Sequence, residues 1–535
     1  MTLARVHSVA LAGVHGHMVT VEADIANGLV GMVLVGLPDT ALREARDRIR
    51  SAITNSGEAW PQRRITVGLS PASLPKRGSG FDLPIAVAVL AAAGALPAVA
   101  LPSTVFLGEL GLDGQVRPVR GVLPAVVAAA SAGFSRVAVA RANAREAALV
   151  PGVRVLAAPA LAALLAFLRG DPPPAGMPAV EELNGGSAAA SPQAAEPDTA
   201  GGQAAVPAGH AVHGRPEADL SEVLGQPVAR RAAEICAAGG HHLSLIGPPG
   251  AGKTMVAERL PTILPKLGLA EALEVTSIHS VAGTLPPGCP LMTDPPFCGP
   301  HHTATKAAIV GGGTGSIHPG AVSLAHRGVL FLDEAPEFAR DVLDALRQPL
   351  ESGEVVVARS GATARFPARF TLVLAANPCP CARAGSPGTA CSCTPLIRRR
   401  YLGRLSGPLL DRVDLKVELF PAGRAELFSD REFTEPSAVV ADRVRQARQR
   451  AAHRLRGTPW RVNAEIPGSE LRRSYAPCRA AMAPLERAVD LGQVSARGLD
   501  KIIRVSWTLA DLAGKGRPTV DECGYALALW LGVAS

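Results

Sequence analysis

One stretch, LSLIGPPGAGKTMVAERL at residues 243–260, restricts the possible folds of this chain more than any other. A short apolar segment precedes Gly247-Pro248-Pro249-Gly250-Ala251-Gly252-Lys253-Thr254, and a helix-like segment follows. Strand, glycine-rich loop and helix in that order make a phosphate-binding loop. The glycines let backbone N–H groups turn toward the phosphates, and the helix N-terminus adds partial positive charge. Lys253 is expected to reach the β- and γ-phosphates of ATP, and Thr254 to ligate Mg²⁺.

Two later strands complete the pattern. RGVLFLDEAPEF (327–338) is an apolar run ending in Asp333-Glu334. A buried strand has no structural need for two acids at its end. Asp333 is expected to hold Mg²⁺, directly or through water, and Glu334 to polarise the attacking water. FTLVLAANP (370–378) is a second apolar strand, ending at Asn377. Its amide is placed to hydrogen-bond the γ-phosphate or the water.

Composition divides the rest. Residues 1–170 alternate strand-like and helix-like segments and read as an α/β domain. Residues 171–216 are rich in Pro, Ala, Gly and Ser, bury too little to offset their ordering entropy, and read as a flexible linker. Residues 217–420 form a second α/β unit, and residues 421–535 read as helical. The uncharged run from Leu83 to Gly108 is long enough to span a bilayer, but Gly94, Pro97 and Pro102 break it. It reads as a buried helix, a turn and a strand, so no membrane partner is expected. The N-terminal residues make a poor signal peptide, and the expected location is cytoplasmic. The net charge of +8 permits an anionic partner without requiring one.

Four of the nine cysteines crowd into NPCPCARAGSPGTACSC. Cys379, Cys381, Cys391 and Cys393 form two Cys-x-Cys pairs, which suggests a closed structural Zn²⁺ site. Free thiols or a redox disulfide are the alternatives.

Together these motifs resemble an AAA+ ATPase. GQPVARRAAEICAAGGHHLSLIGPPGAGKT, PHHTATKAAIVGGG, PGAVSLAHRGVLFLDEAPEF, LDALRQPLESGEVVVARS and SGPLLDRVDL are similar to the magnesium-chelatase-like AAA+ family, and within it to the ComM/YifB group. The resemblance covers nearly all of the chain except the linker. It implies that Arg412 is an arginine finger acting on a neighbouring subunit's ATP, a role worth about 10³–10⁵ in rate. It implies that Arg497 is the sensor-two arginine of a helical lid, with Arg504 a second candidate on that helix. It further implies a homo-oligomer, a hexameric ring. One departure stands out: Cys298 in PPFCGPHHT replaces an arginine usual in the family, in a segment expected to be a pore insertion, with Lys306 as a possible substitute.

LPKRGSGFDLPIAVAVLAAAG and LGELGLDGQVRPVRGVLPAVVAAASAGFSRV resemble the proteolytic domain of Lon-type proteases. Their serine–lysine dyad is missing. Gly80 stands where the serine belongs, Ser79 is one position early, and Leu123 replaces the lysine; Lys76 lies at the wrong spacing. The first domain is therefore expected to be non-proteolytic. The functional expectation is an ATP-driven DNA motor, acting in branch migration or unwinding during natural transformation on single-stranded or branched DNA. Six arginines (443, 445, 448, 450, 454 and 456) in one helical segment fit that reading, though a solvated helix is the plainer one. Chelatase-type metal insertion and protein remodelling remain alternatives.

Overall fold

The first residues form two long strands joined by a tight turn, β1 (Leu3–Ala12) and β2 (His15–Ala26), antiparallel with Leu3 opposite Asp24. The computed structural model describes residues 3–36, 40–76, 78–97, 101–186, 218–286, 288–313, 317–359, 362–381, 383, 391–423, 430 and 434–534. Along β2 buried and partly exposed residues alternate, as expected of a sheet with one face on the core. β3 (Gly31–Val35), β4 (Arg64–Ser70) and β5 (Thr104–Leu107) join them. A two-residue ribbon, β6 (Glu109–Leu110) with β7 (Val116–Arg117), follows. β8 (Arg136–Ala140), β9 (Arg154–Ala158) and β10 (Glu181–Asn184) complete an eight-stranded sheet of order β10-β9-β8-β5-β1-β2-β4-β3.

The Leu83–Gly108 run behaves as its sequence implies. Asp82–Ala92 is a helix buried on nearly every side, and the run continues into the wholly buried β5. Among the described residues no helix is long and apolar enough to cross a membrane.

The linker boundary needs correction. Residues 181–184 belong to the first sheet: β10 pairs antiparallel with β9, from Glu181 opposite Ala157 to Asn184 opposite Arg154. Backbone hydrogen bonding holds this polar strand at a sheet edge, where little apolar burial is required. Residues 187–216 of the expected linker lie outside the described residues.

The second unit is an all-parallel sheet. Its strands are β11 (Leu243–Ile246), β12 (Phe297–Cys298), β15 (Val329–Leu332), β18 (Thr371–Ala376) and β19 (Leu415–Glu418), in the order β12-β15-β18-β11-β19. A short pair, β13 (Gly311–Gly312) with β14 (His318–Pro319), and a hairpin, β16 (Glu354–Arg359) with β17 (Ala362–Pro367), lie outside it. The strands are buried on both faces, as parallel sheets require. Helices dominate from Ser437 onward and share one core with β11 and β19.

The two α/β units touch. Gly121 N–H donates to the Ser280 carbonyl at 3.2 Å. Buried Glu146 accepts from Leu123 N–H at 2.8 Å and from the Ser280 hydroxyl. At the β1–β2 turn Gly13 has φ +68°, and an added Cβ would lie 2.5 Å from the Arg365 carbonyl oxygen on β17. No other residue fits that approach without displacing the hairpin.

A buried polar chain ties the helical region to the sheet. On helix Ala496–Leu512, Lys501 donates to Asp414 and to the Arg412 carbonyl, each at 2.7 Å. Thr508 lies 2.8 Å from His241 Nε2 and accepts from Asn463 at 3.0 Å. Asn463 and Arg454 both donate to Asp511. His241 is fully buried, and burial lowers its pKa from 6.5 to about 4. Its folded value lies below its unfolded one, so the unfolded chain binds the proton first as pH falls. Stability is full above about 6.5 and is lost as pH falls toward about 4. Thermal melting should show that loss. His241→Gln, which keeps a donor and acceptor without this titration, should reduce the pH dependence between those values and leave the share of His242, which burial also lowers to about 4.

Candidate nucleotide site

Ile246 ends β11 and pairs with Ala376 of β18; Leu332 ends β15 and pairs with Leu374. The parallel register therefore delivers the glycine loop, Asn377 and Asp333-Glu334 to one edge of the sheet. Gly247 N–H donates to the Ala376 carbonyl at 3.1 Å. Gly250 (φ +77°) and Gly252 (φ +88°) take left-handed conformations, and Gly252 caps helix Lys253–Ile263.

Lys253 is buried. Its Nζ donates to the carbonyls of Gly247 at 2.7 Å and Pro248 at 2.9 Å, and to Asn377 Oδ1 at 3.0 Å. Burial lowers its pKa, while the nearby Asp333 and Glu334 carboxylates favour the ammonium. Thr254 Oγ1 donates to Asp333 Oδ2 at 3.0 Å. A hydroxyl and a carboxylate converging this way, with an ammonium on the same loop, form a donor set that fits Mg²⁺ and a polyphosphate. Glu334 stands in the left-handed region at φ +49°, and its N–H donates to Asp333 Oδ1 at 2.9 Å. Such a backbone costs about 1–3 kcal/mol in a non-glycine residue and clusters at functional sites.

Arg412 and Arg497 lie together elsewhere. Both guanidinium groups pair with Glu351, Arg497 at 3.5 Å and Arg412 more closely. Among the described residues neither pairs with the glycine loop, Asp333 or Glu334. Glu351 was not visible as a site residue from sequence, because its partner comes from the far end of the chain. Arg504 is set aside. It donates to the Ile466 carbonyl at 2.8 Å within the helical region.

The four cysteines converge. Their sulfurs lie within 4.8 Å of one another, with Cys379–Cys381 at 3.1 Å, Cys381–Cys391 at 3.4 Å and Cys379–Cys391 at 3.6 Å. Tetrahedral thiolates at about 2.3 Å from Zn²⁺ would stand about 3.8 Å apart, so the cluster fits a metal with small adjustment. A backbone hydrogen bond from Cys393, with help from Cys381, Cys379 and Arg398, holds the Cys391 thiol down near a pKa of about 6. All nine cysteines are free thiols.

Two expectations change. Cys298 is a buried residue of β12, paired with Leu330, so the segment begins as core sheet and not as an insertion. Lys306 opens a short helix and is exposed. The arginine-rich segment lies mostly on helix Ser437–Arg454 and is largely spent on internal contacts. Arg443 pairs with Glu234 and Glu435, Arg445 with Asp442, and Arg454 with Asp511 and the Trp507 face at 4.3 Å. Arg448 and Arg450 donate to the carbonyls of Ala237 and Asp511.

In the first domain Ser79 lies in a single turn before helix Asp82–Ala92, its hydroxyl bonded to the Glu109 carboxylate. Lys76 is buried and donates to the Pro71 carbonyl, and Leu123 is buried. The loop makes a turn, not a dyad.

A five-stranded parallel sheet with a glycine loop, an acidic pair and an asparagine at one edge, followed by a helical lid, defines a magnesium-chelatase-like AAA+ ATPase. Residues 219–427 match the family "Magnesium chelatase, subunit ChlI", residues 434–529 its C-terminal family, and residues 21–143 "Subunit ChlI of Mg-chelatase". The chain belongs to the ComM/YifB group of that family. It is 42% identical to Competence protein ComM of Haemophilus influenzae, over 96% of this chain and 95% of that protein. It is 41% identical to YifB of Escherichia coli, over 96% and 94%, and 51% identical to a Mycobacterium tuberculosis protein, Rv2897c, over 99% and 98%. The magnesium-chelatase 38 kDa subunit of Cereibacter sphaeroides is 28% identical over 37% of this chain and 58% of its own length. The family implies use of ATP and Mg²⁺.

Lys253→Ala should weaken ATP binding by about 10- to 100-fold, the loss of a charge-assisted contact. Glu334→Gln should bind ATP normally and lose turnover. Equilibrium binding of a fluorescent ATP analogue beside phosphate release separates the two.

Proposed function

We infer that this chain assembles into a hexameric ring whose ATP hydrolysis drives branch migration or unwinding of DNA during natural transformation. The observation that carries this reading is the pairing of Arg412 and Arg497 on Glu351, away from the subunit's own glycine loop. Two catalytic arginines placed there serve a nucleotide held by the next subunit, and a ring supplies one at every junction. Within each site Lys253 and the glycine-loop amides hold the phosphates. Thr254 and Asp333 hold Mg²⁺, which would neutralise developing phosphate charge. Glu334 polarises the water, and Asn377 reports on the γ-phosphate. The full-length similarity to a protein named for competence supports DNA as the target.

The basic surface for DNA lies on helix Pro395–Leu402. Arg399 and Arg400 are exposed there and have no ion-pair partner among the described residues. The cysteine cluster sits between Asn377 and this helix, and Arg398 bonds Cys391. Zn²⁺ on the four thiolates would fix both ends of that segment. The first domain serves assembly or DNA contact and not proteolysis.

ATP turnover should rise with single-stranded or four-way-junction DNA and fall back as salt rises. Arg399→Ala/Arg400→Ala should lower the salt slope by about 1.5 if both contact phosphate. Turnover indifferent to every DNA would move the target to a protein or a porphyrin. Arg412→Ala should lose turnover and regain part of it when mixed with Lys253→Ala subunits; absence of rescue would count against action between subunits. Elemental analysis of freshly purified protein should find one zinc per chain, absent after substitution of Cys379 and Cys391 by Ser.

A further inference from the structure

The glycine loop, Asn377 and the acidic pair lie where the parallel strands of the second sheet end. At the opposite edge, where those strands begin, lies a cavity of about 610 Å³. His242 precedes β11, Gly328 precedes β15 and Thr371 opens β18, and all three line it. The helical region contributes Arg448, on helix Ser437–Arg454, and Trp460 beyond that helix. The volume suits a small organic ligand.

Charge decides what such a ligand carries. Three acids line the cavity, Glu271, Glu351 and Glu465, and each is already paired. Glu271 meets Arg327 at 3.4 Å and Arg461 at 2.7 Å, and Glu465 meets Arg369 at 3.8 Å. Glu351 is held by Arg412 and Arg497. Arg448 has no carboxylate partner among the described residues. Its Nε and Nη2 both donate to the Ala237 carbonyl, at 2.9 and 2.6 Å. That leaves Nη1 and the second Nη2 hydrogen, the outer side of the fork, for an oxyanion. Burial lowers the Arg448 pKa to about 10, the mark of a guanidinium short of a counter-charge. Arg327 adds an independent sign. It holds a left-handed backbone, φ +61°, with its N–H donating to the Arg369 carbonyl at 2.6 Å. Such strain in a non-glycine residue gathers at ligand sites.

We propose that this cavity binds a small phosphate monoester of mononucleotide size, with its phosphate on the Arg448 guanidinium and its organic part against Trp460. A guanidinium fork matches phosphate oxygens two at a time, and an indole offers a flat apolar wall. Arg448 and Trp460 belong to the helical region, whereas Arg327 and Arg369 stand at the starting edge of the sheet. The occupant therefore bridges the two. The site is separate from the glycine loop and does not depend on DNA being the target of the motor.

The test is calorimetric titration of the full-length protein with adenosine monophosphate in EDTA, in the Lys253→Ala background. The probe lacks the β- and γ-phosphates that the glycine loop holds, and the background removes that loop's lysine. The protein should bind the probe and melt at a higher temperature in its presence, and adenosine should bind at least about tenfold more weakly. Adding Arg448→Gln should weaken the probe by about 10- to 100-fold, the loss of a charge-assisted contact. Arg369→Glu, at an exposed position, serves if the glutamine variant does not fold; its reversed charge should weaken the probe by about three- to tenfold. No binding in the Lys253→Ala background overturns the proposal, as does adenosine binding equally well or affinity unchanged in the folded arginine variants. Binding that needs Lys253 but survives Arg448→Gln places the probe on the glycine loop and overturns it too.

Discussion

Everything at the nucleotide edge depends on β18 lying between β11 and β15 with all three strands parallel. The arrangement fixes which loops can meet. β11 delivers the glycine loop and β15 the acidic pair, and the strand between them ends at Asn377, whose Oδ1 accepts from Lys253. A slip of one residue in either pairing would turn every side chain to the other face of a sheet that is apolar on both. Lys253 cannot be buried alone. Two loop carbonyls and one amide satisfy it, and two nearby carboxylates balance its charge.

The lid is held by a different device. Instead of apolar packing alone, two buried polar groups tie it down: Asp414 with Lys501, and His241, Thr508, Asn463, Asp511 and Arg454 bonded in series. Both buried carboxylates have a cationic partner, Asp414 in Lys501 and Asp511 in Arg454, while His241 Nδ1 and Arg454 Nε are buried with no hydrogen-bond partner. Because Lys501 also holds the Arg412 carbonyl, the orientation of the lid helix and the position of that arginine are set by one ammonium group.

The sequence made the nucleotide edge legible because each of its parts is a local pattern: glycine spacing, an acidic pair after four apolar residues, an asparagine after five. What escaped it was long-range or cheap in composition. β1 lies inside a stretch that also reads as a poor signal peptide, and β10 inside a stretch whose polarity suits an edge strand as well as a linker. The arginine helix suggested a nucleic-acid face because sequence displays charge and not its partners. Glu234, Glu435 and Asp511 come from distant elements. Glu351 was unreadable for the same reason, since it matters only through residues the fold brings to it.

Glu351 carries a consequence for how this site can vary. One carboxylate is shared by two guanidinium groups that come from separate segments of the chain. Their energetic contributions therefore cannot be independent: removing either arginine strengthens the hold of the acid on the other. Position 351 is a point of epistasis, where the tolerance of one arginine to substitution is written in the identity of the second.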